Sequence, residues 1–361
     1  MLVLLTMRAV RQGRFLTLLP VVFALVALAG AATLKGQTRR IVFDHAPDDS
    51  TPWPTVDIYS VNADGASLRA LTTDGHSHWP SWSPDGRHIL YIHDNFSSGR
   101  PPSNLEELYV MDSDGGNAHL LRPLDGSVGP AAWSPDGKTL AVEYTPRSRW
   151  EERTTPGEPI YGLFLLPANS QGEPRSLFPV ATEPAWNPDG RKLAFTVRVA
   201  GTGFAIGVGD ADGSHQIQLT DPSQYTIYPY IPDAERPAWS PDGKQIAYDA
   251  DILFMDAPGT RGVSDQVAIF LMGADGSNKR RLTTDPAWRC FHPSWSPDGT
   301  EIAFYCSPAS APCSGIAPSR QLEPKPWCVR RIFVMSLTAP NAKPIQITQH
   351  DGANPVFAPV P

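Results

Sequence analysis

One five-residue phrase, Trp-Ser-Pro-Asp-Gly, recurs along the chain and constrains its fold more than any other feature. Four copies are identical, and one carries Asn187 in place of serine. The five copies are Trp82–Gly86, Trp133–Gly137, Trp186–Gly190, Trp239–Gly243 and Trp295–Gly299. A sixth, degenerate copy begins at Phe357. The tryptophans lie 51 to 56 residues apart, and a period near 50 is typical of a propeller, a solenoid or an array.

Each repeat carries the signals of four short strands. The first strand ends at the tryptophan, and Pro-Asp-Gly then supplies a tight turn in which glycine takes the positive φ. A second strand such as Ile246–Tyr248 follows, then a third such as Ile269–Met272, and a short fourth strand ends in Leu-Thr. Four antiparallel strands in each of six repeats predict an all-β, six-bladed β-propeller. We expect each tryptophan to wedge between neighbouring blades.

The two ends of the chain predict how the ring closes. Three strand signals precede Trp82, at 40–43, 57–61 and 68–72, and a single one follows the fifth repeat, at 353–357. Together they make one complete blade, in which the C-terminal segment is the innermost strand. Such a blade would close the ring and remove an open sheet edge.

These repeats resemble those of the TolB-like propeller family. The resemblance lies in the Trp-Ser-Pro-Asp-Gly turn, the Ile-Ala-Phe strand at Ile302–Phe304, the strand and turn at Leu108–Gly115, and the Leu-Thr ending. It covers residues 38–361 and does not include the N-terminal α/β domain that TolB carries. The resemblance implies an exported binding module that holds a protein or peptide partner of the cell envelope.

Residues 1–31 are predicted to form a signal peptide. Arg8, Arg11 and Arg14 precede an uncharged apolar run, Phe15–Ala32, that ends in small residues, as secretory signals do. The alternative is a retained membrane anchor, which would be the chain's contact with a membrane. Either way, we expect the propeller to lie in the periplasm or outside the cell. The net charge of −7 and the absence of a basic run argue against nucleic-acid binding, and we expect a monomer without a cofactor.

All four cysteines lie late in the chain, at Cys290, Cys306, Cys313 and Cys328. In an exported protein an even, clustered set predicts two disulfides. Three connectivities are possible, and the sequence does not choose among them. A metal site is the weaker reading, because no Cys-x-x-Cys pair is present.

Long insertions are expected on one face of the ring, opposite the Pro-Asp-Gly turns. They occupy residues 44–56, 93–106, 144–160, 221–235, 249–266 and 306–329. The insertion at 221–235 holds Tyr225, Tyr228 and Tyr230 among prolines, a composition that suits a binding surface. These tyrosines could equally pack against neighbouring loops, and the insertions could be neutral surface variation.

A second candidate site comes from aligning the repeats. One residue per blade, three positions before the tryptophan or Phe357, is predicted to enter the central channel. These residues are Trp79, Pro130, Glu183, Arg236, His292 and Asn354. We place His78 and His350 in corresponding approach loops. Three interpretations stay open: a hydrated polar channel with an internal Glu–Arg pair, a site for an anionic or peptide ligand, and a site for a divalent metal.

Two classes of function compete. A prolyl-oligopeptidase-like hydrolase would need a Gly-x-Ser-x-Gly nucleophile motif, which the chain lacks. A propeller enzyme of the polysaccharide lyase or hydrolase type, with a metal held by His78, His292 and His350, is the remaining catalytic alternative. We favour a non-catalytic binding protein that uses the channel mouth and the long-loop face.

Overall fold

The fold is built from strands arranged in six four-stranded antiparallel sheets. The structure is a computed structural model. It describes residues 39–46, 55–94, 106–147, 161–169, 171–199, 203–221, 233–252, 266–309, 329–349 and 351–360. The all-β, six-bladed propeller predicted from the repeat is therefore confirmed. Within the described part of the chain, no helix is both long and apolar enough to cross a membrane.

Each blade holds four strands, counted outward from the centre of the ring. The innermost are β4 (Ser77–Trp82), β8 (Gly126–Trp133), β12 (Ala181–Trp186), β16 (Ala234–Trp239), β20 (Trp288–Trp295) and β24 (Ala353–Phe357). The second strands are β1 (Arg40–His45), β5 (His88–Asp94), β9 (Thr139–Pro146), β13 (Lys192–Val199), β17 (Gln245–Ile252) and β21 (Glu301–Pro308).

The two outer positions of each blade hold strands of unequal length. The third strands are β2 (Asp57–Asn62), β6 (Glu106–Asp112), β10 (Gly162–Pro167), β14 (Gly203–Asp210), β18 (Gln266–Gly273) and β22 (Arg331–Ser336). The fourth are β3 (Arg69–Ala70), β7 (His119–Leu120), β11 (Arg175–Pro179), β15 (Ile217–Gln218), β19 (Arg280–Arg281) and β23 (Ile345–Gln346). Blade I comprises β24, β1, β2 and β3, and blades II to VI begin at β4, β8, β12, β16 and β20.

The repeated phrase forms the turn between the first and second strands. In blade II the Ser83 hydroxyl donates to Asp85 Oδ1 at 2.7 Å and accepts from the His88 N–H at 2.9 Å. The Gly86 N–H donates to the Ser83 carbonyl at 2.9 Å, and Gly86 has a φ of 68°. Serine and aspartate thus satisfy the backbone of the turn, and glycine supplies the left-handed conformation.

The tryptophans of the phrase join neighbouring blades, as the sequence predicts. Three indole N–H groups donate to the carbonyl of the residue that precedes the equivalent aromatic side chain in the adjacent blade. The pairs are Trp82 with Val356 at 3.3 Å, Trp186 with Ala132 at 3.2 Å, and Trp295 with Ala238 at 3.1 Å. The aromatic wedge is therefore also a hydrogen-bonded link between blades.

The predicted closure of the ring is confirmed in blade I. The C-terminal strand β24 pairs antiparallel with β1, with Ile41 opposite Phe357. Phe357 is 5% exposed and belongs to an apolar cluster with Phe43 and with Ile332 of blade VI. The two ends of the chain therefore share one sheet and one core.

A disulfide joins Cys290 to Cys306. These residues are directly opposite each other on β20 and β21, so the bridge ties the two inner strands of blade VI together. This pairing is one of those that the sequence left open. Cys313 and Cys328 lie outside the described residues, as does the predicted signal peptide, residues 1–31.

Candidate functional site

The innermost strands share one backbone irregularity at the predicted channel position. In every blade the pairing of the innermost strand with the second strand shifts register near this point. Five residues there have left-handed φ angles of 50° to 58°, and they are Trp79, Glu183, Arg236, His292 and Asn354. That conformation costs a residue with a side chain about 1–2 kcal/mol, and its repetition around the ring indicates a shared purpose.

The bulge turns a backbone N–H out of the ladder and toward the second strand of the neighbouring blade. A polar side chain accepts it there. The pairs are Trp79 with Asp44 Oδ1 at 2.8 Å, Arg236 with Thr196 Oγ1 at 3.0 Å, His292 with Asp249 Oδ2 at 2.8 Å, and Glu183 with the Glu143 carboxyl. Pro130 has no N–H, and the equivalent acceptor position in blade II is the apolar Ile92. Each of these four N–H groups thus has a side-chain acceptor, whereas the proline, which has no N–H, corresponds to an apolar position.

Arg236 is the centre of a cluster of three carboxyl groups. Its Nε lies 3.2 Å from Glu183 Oε1, and its Nη1 lies 2.8 Å from Glu235 Oε2 and 3.1 Å from Asp249 Oδ1. The side chain of Asp249 is 3% exposed, whereas that of Arg236 is 26% exposed. One guanidinium group is therefore shared by three acids at the edge of solvent.

The cluster has one guanidinium group for three carboxyl groups, so positive charge does not balance the acids. Burial raises the pKa of Asp249 to about 8 and that of Glu235 to about 7, although Arg236 lowers both pKa values. Burial, together with Arg236, lowers the pKa of His292 to about 4. His292 is therefore a neutral imidazole at neutral pH, and it adds no positive charge to the cluster.

A second polar cluster lies where blade I meets blades II and VI. The buried Asp44 accepts from the Asn354 side-chain amide as well as from Trp79. Burial raises the pKa of Asp44 to about 7. Arg330 forms a bidentate pair with Asp351, with 2.7 Å between Nη2 and Oδ2 and 3.2 Å between Nε and Oδ1. Asn354 and Trp79 are therefore joined through Asp44 and do not belong to the Arg236 cluster.

Electrostatic interactions connect these groups from blade II through blades III to VI to blade I, and the Trp79–Asp44 hydrogen bond joins blade I to blade II. Burial raises the pKa of Glu143 to about 8, and the nearby carboxyl groups of Glu183 and Glu106 contribute to the rise. Burial raises the pKa of Tyr305, and the positive charges of Arg236 and Arg330 oppose that rise. Arg330 likewise opposes the rise in the pKa of Asp44. The acids of this polar ring are Asp44, Glu106, Glu143, Glu183, Glu235, Asp249 and Asp351, and its guanidinium groups are Arg236 and Arg330. The polar ring therefore carries a surplus of carboxyl groups.

The structure separates the histidines that the sequence grouped. His78 lies within β4 and not in an approach loop, which corrects that expectation. It neighbours Asp94 and Glu106, and this is the one group of three or more metal-ligating side chains close enough to share an ion among the described residues. His292 belongs to the Arg236 cluster. His350, Tyr225, Tyr228 and Tyr230 lie outside the described residues.

Sequence reasoning overlooked the acids on the second strands. Asp44, Glu143 and Asp249 each follow an apolar pair at the same position of their repeats, as in Val42-Phe43-Asp44 and Ala247-Tyr248-Asp249. Aligning the second strands as well as the first would have revealed them. Glu235 stands at the repeat position that holds His78, Gly129, Thr182, Phe291 and Ala353 in the other blades, so that position shows no consistent residue type. Arg330 precedes β22, outside the aligned first and second strands.

Comparison by sequence gives partial matches. No family model matches the chain. A stretch of 167 residues, 39% of this chain, is 26% identical to the uncharacterized peptidase YuxL of Bacillus subtilis and covers 24% of that protein. The chain spans between 24% and 42% of the length of three curated relatives that it matches. We therefore do not assign the activities of these relatives to this chain.

Comparison by structure covers nearly the whole chain and identifies the class of fold. The putative TolB of Agrobacterium tumefaciens superposes with a TM-score of 0.58 at 20% identity, over 88% of this chain and 92% of that chain. TolB of Acinetobacter baumannii superposes with a TM-score of 0.58 at 18% identity, over 93% and 71%. The protein is a six-bladed β-propeller with a polar ring at its centre. More particularly, its fold is that of the TolB propellers, as its repeats predict.

Proposed function

We propose that this protein is an exported, non-catalytic binding protein that holds a basic segment of an envelope protein or peptide partner. The segment would enter the channel mouth, with the long-loop face around it. The observation that carries the proposal is the Arg236 cluster, in which Glu183, Glu235 and Asp249 share one guanidinium group. A lysine or arginine of the partner would supply the positive charge that these acids lack.

The charge of the polar ring also selects between the ligands that the sequence left open. An anionic ligand would find only two guanidinium groups and would raise the pKa values of the surrounding carboxyl groups further, whereas a nearby cation lowers those pKa values and favours the carboxylate forms that bind it. A basic side chain would find acceptors held in place by the bulges, because their backbone N–H groups fix Asp249 and Glu143. Such a pre-ordered site reduces the entropy lost on binding.

Export is supported by two independent features. The disulfide between Cys290 and Cys306 is of the kind that persists in oxidising compartments. The charged and apolar N-terminal segment, residues 1–31, has the pattern of a secretory signal. We propose the periplasm or the extracellular space as the location of the propeller.

A propeller enzyme is the second candidate function. What favours it is that His78 has two carboxyl neighbours, Asp94 and Glu106, which could hold a catalytic ion. The polysaccharide lyase or hydrolase that the sequence allowed would need such an ion beside its substrate. It would release new ends from a polysaccharide substrate, whereas the binding protein would release none.

The binding proposal is tested with two labelled peptides of equal length, one alternating Lys and Gly and the other Glu and Gly. Fluorescence anisotropy of the full chain should show that the basic peptide binds more tightly. Glu235→Gln should weaken that binding by about tenfold, which corresponds to ~1.4 kcal/mol. Salt should weaken it too, since a partly exposed ionic site is screened.

Glu301→Gln is the matched control, because Glu301 pairs with Arg39 outside the polar ring. It should leave the affinity unchanged. Equal affinity for the two peptides, or equal losses in the two variants, would contradict the proposal.

A further inference from the structure

We propose that His78, Asp94 and Glu106 form a binding site for one divalent transition-metal ion. The three residues come from the three inner strands of blade II: His78 from β4, Asp94 from the end of β5 and Glu106 from the start of β6. The site uses no residue of the Arg236 cluster, and it shares only Glu106 with the polar ring.

The strand register places the three side chains on one face of the blade. Asp94 is directly opposite Glu106 in the β5–β6 pair, and His78 is opposite Ile92 in the β4–β5 pair. Ile92 and Asp94 are two residues apart and therefore share a face of β5. His78 and Glu106 consequently flank Asp94 on that face, one on each side.

The distances suit ligands of a single ion. One potential ligand atom from each residue lies within 4.8 Å of the others. His78 Nδ1 and Asp94 Oδ2 are 3.7 Å apart, which is too far for a hydrogen bond. Two ligands about 2.1 Å from a tetrahedral ion would be about 3.4 Å apart, so the gap matches an ion bound between them.

The surroundings prepare each group to act as a ligand. The side chains of His78, Asp94 and Glu106 are all half-buried, so their surroundings restrict their motion. The Ser127 hydroxyl, on the innermost strand of blade III, donates to Glu106 Oε2 at 2.6 Å. Such a hydrogen bond orients a ligating carboxylate from behind.

The donor set also indicates the kind of ion. Calcium takes six to eight oxygen ligands, and an imidazole with two carboxylates is a poor match for it. Zinc and manganese both accept mixed nitrogen and oxygen ligands. The side chains of His78 and Asp94 are 17% and 22% exposed, so an ion can reach the site and retain water on its open positions.

The test is calorimetric titration of the full, metal-stripped chain with Zn²⁺ and, separately, with Mn²⁺. We expect a single equivalent to bind. His78→Ala, Asp94→Asn and Glu106→Gln should each weaken binding by more than about 100-fold. Ser127→Ala should weaken it by about tenfold, because loss of a partner behind a ligand costs about 10–100-fold. In the Co²⁺-loaded chain, the visible absorption should change on His78→Ala, which removes the nitrogen ligand.

His215→Ala is the matched control, because His215 also lies beside a carboxylate, with its Nδ1 2.8 Å from Asp210, but is 80% exposed. It should bind both ions as the wild type does. The asparagine and glutamine variants preserve side-chain shape, so their metal-free unfolding midpoints should match the wild type and report intact blades. Absence of a bound equivalent in the wild type, unchanged affinity in the three variants, or an equal loss in His215→Ala would overturn the proposal.

Discussion

Replacing Arg236 by methionine should destabilise the propeller strongly. The substitution keeps the length of the side chain but removes the one guanidinium group that Glu183, Glu235 and Asp249 share. Asp249 is 3% exposed and cannot turn to water. Removing one partner of a buried ion pair costs about 3–5 kcal/mol, so we expect a loss of that order at pH 9, above the pKa of Asp249 beside Arg236.

The assay is urea unfolding followed by tryptophan fluorescence, with the shift in midpoint as the readout. Arg39→Met is the matched control. Arg39 pairs with Glu301 at 3.0 Å and with Asp298 at 3.5 Å, but it is one-third exposed. An exposed ion pair contributes at most about 1 kcal/mol, so the control should shift the midpoint much less.

Two further results are expected for this variant. Its deficit should shrink at pH 5, where more of the orphaned carboxyl groups are protonated and neutral. Adding Asp249→Asn to Arg236→Met should restore part of the lost stability, because the second change removes the buried charge. A loss no larger than that of Arg39→Met, or one that is independent of pH, would refute the view that Arg236 neutralises this cluster.

Two other predictions concern closure and pH. Deleting residues 353–361 should lower the free energy of unfolding by more than about 3 kcal/mol. The deletion removes Phe357, a buried aromatic residue of the blade I core, and losing one such side chain already costs about that much. An unchanged thermal midpoint would contradict the predicted ring closure. Stability should fall as the pH rises from about 4 to about 8. Burial raises the pKa of Asp249 and Glu143 to about 8 and that of Asp44 to about 7, so the folded state keeps protons that the unfolded state releases. A higher urea midpoint at pH 8 than at pH 5 would show the sign to be wrong.

The fold could be predicted from the sequence because its local signals agree with its global arrangement. The Ser-Pro-Asp-Gly turn fixes the backbone through its own side chains, as Ser83 and Asp85 show. The tryptophan bonds then repeat the same geometry between blades. The incomplete strand counts at the two ends have one simple solution, which β24 and β1 adopt.

The site could be predicted only in part. The position three residues before four of the five tryptophans, and before Phe357, adopts a left-handed conformation, and Glu183 does pair with Arg236. The alignment could not show that this conformation serves an N–H donated to the next blade, because that contact crosses about 40 residues or more of chain. Asp94 and Glu106 flank an insertion of variable length, so no repeat spacing brings them to His78.

The most direct test of the central claim is to locate a bound basic peptide. The alternating Lys and Gly peptide, carrying a photoreactive group at its midpoint, would be cross-linked to the full chain and the attachment site mapped by mass spectrometry. The account predicts attachment to β12, β16 or β20, and its loss in Glu235→Gln but not in Glu301→Gln. Attachment at the Pro-Asp-Gly turns, or attachment that both variants retain, would contradict the claim that the polar ring binds the partner.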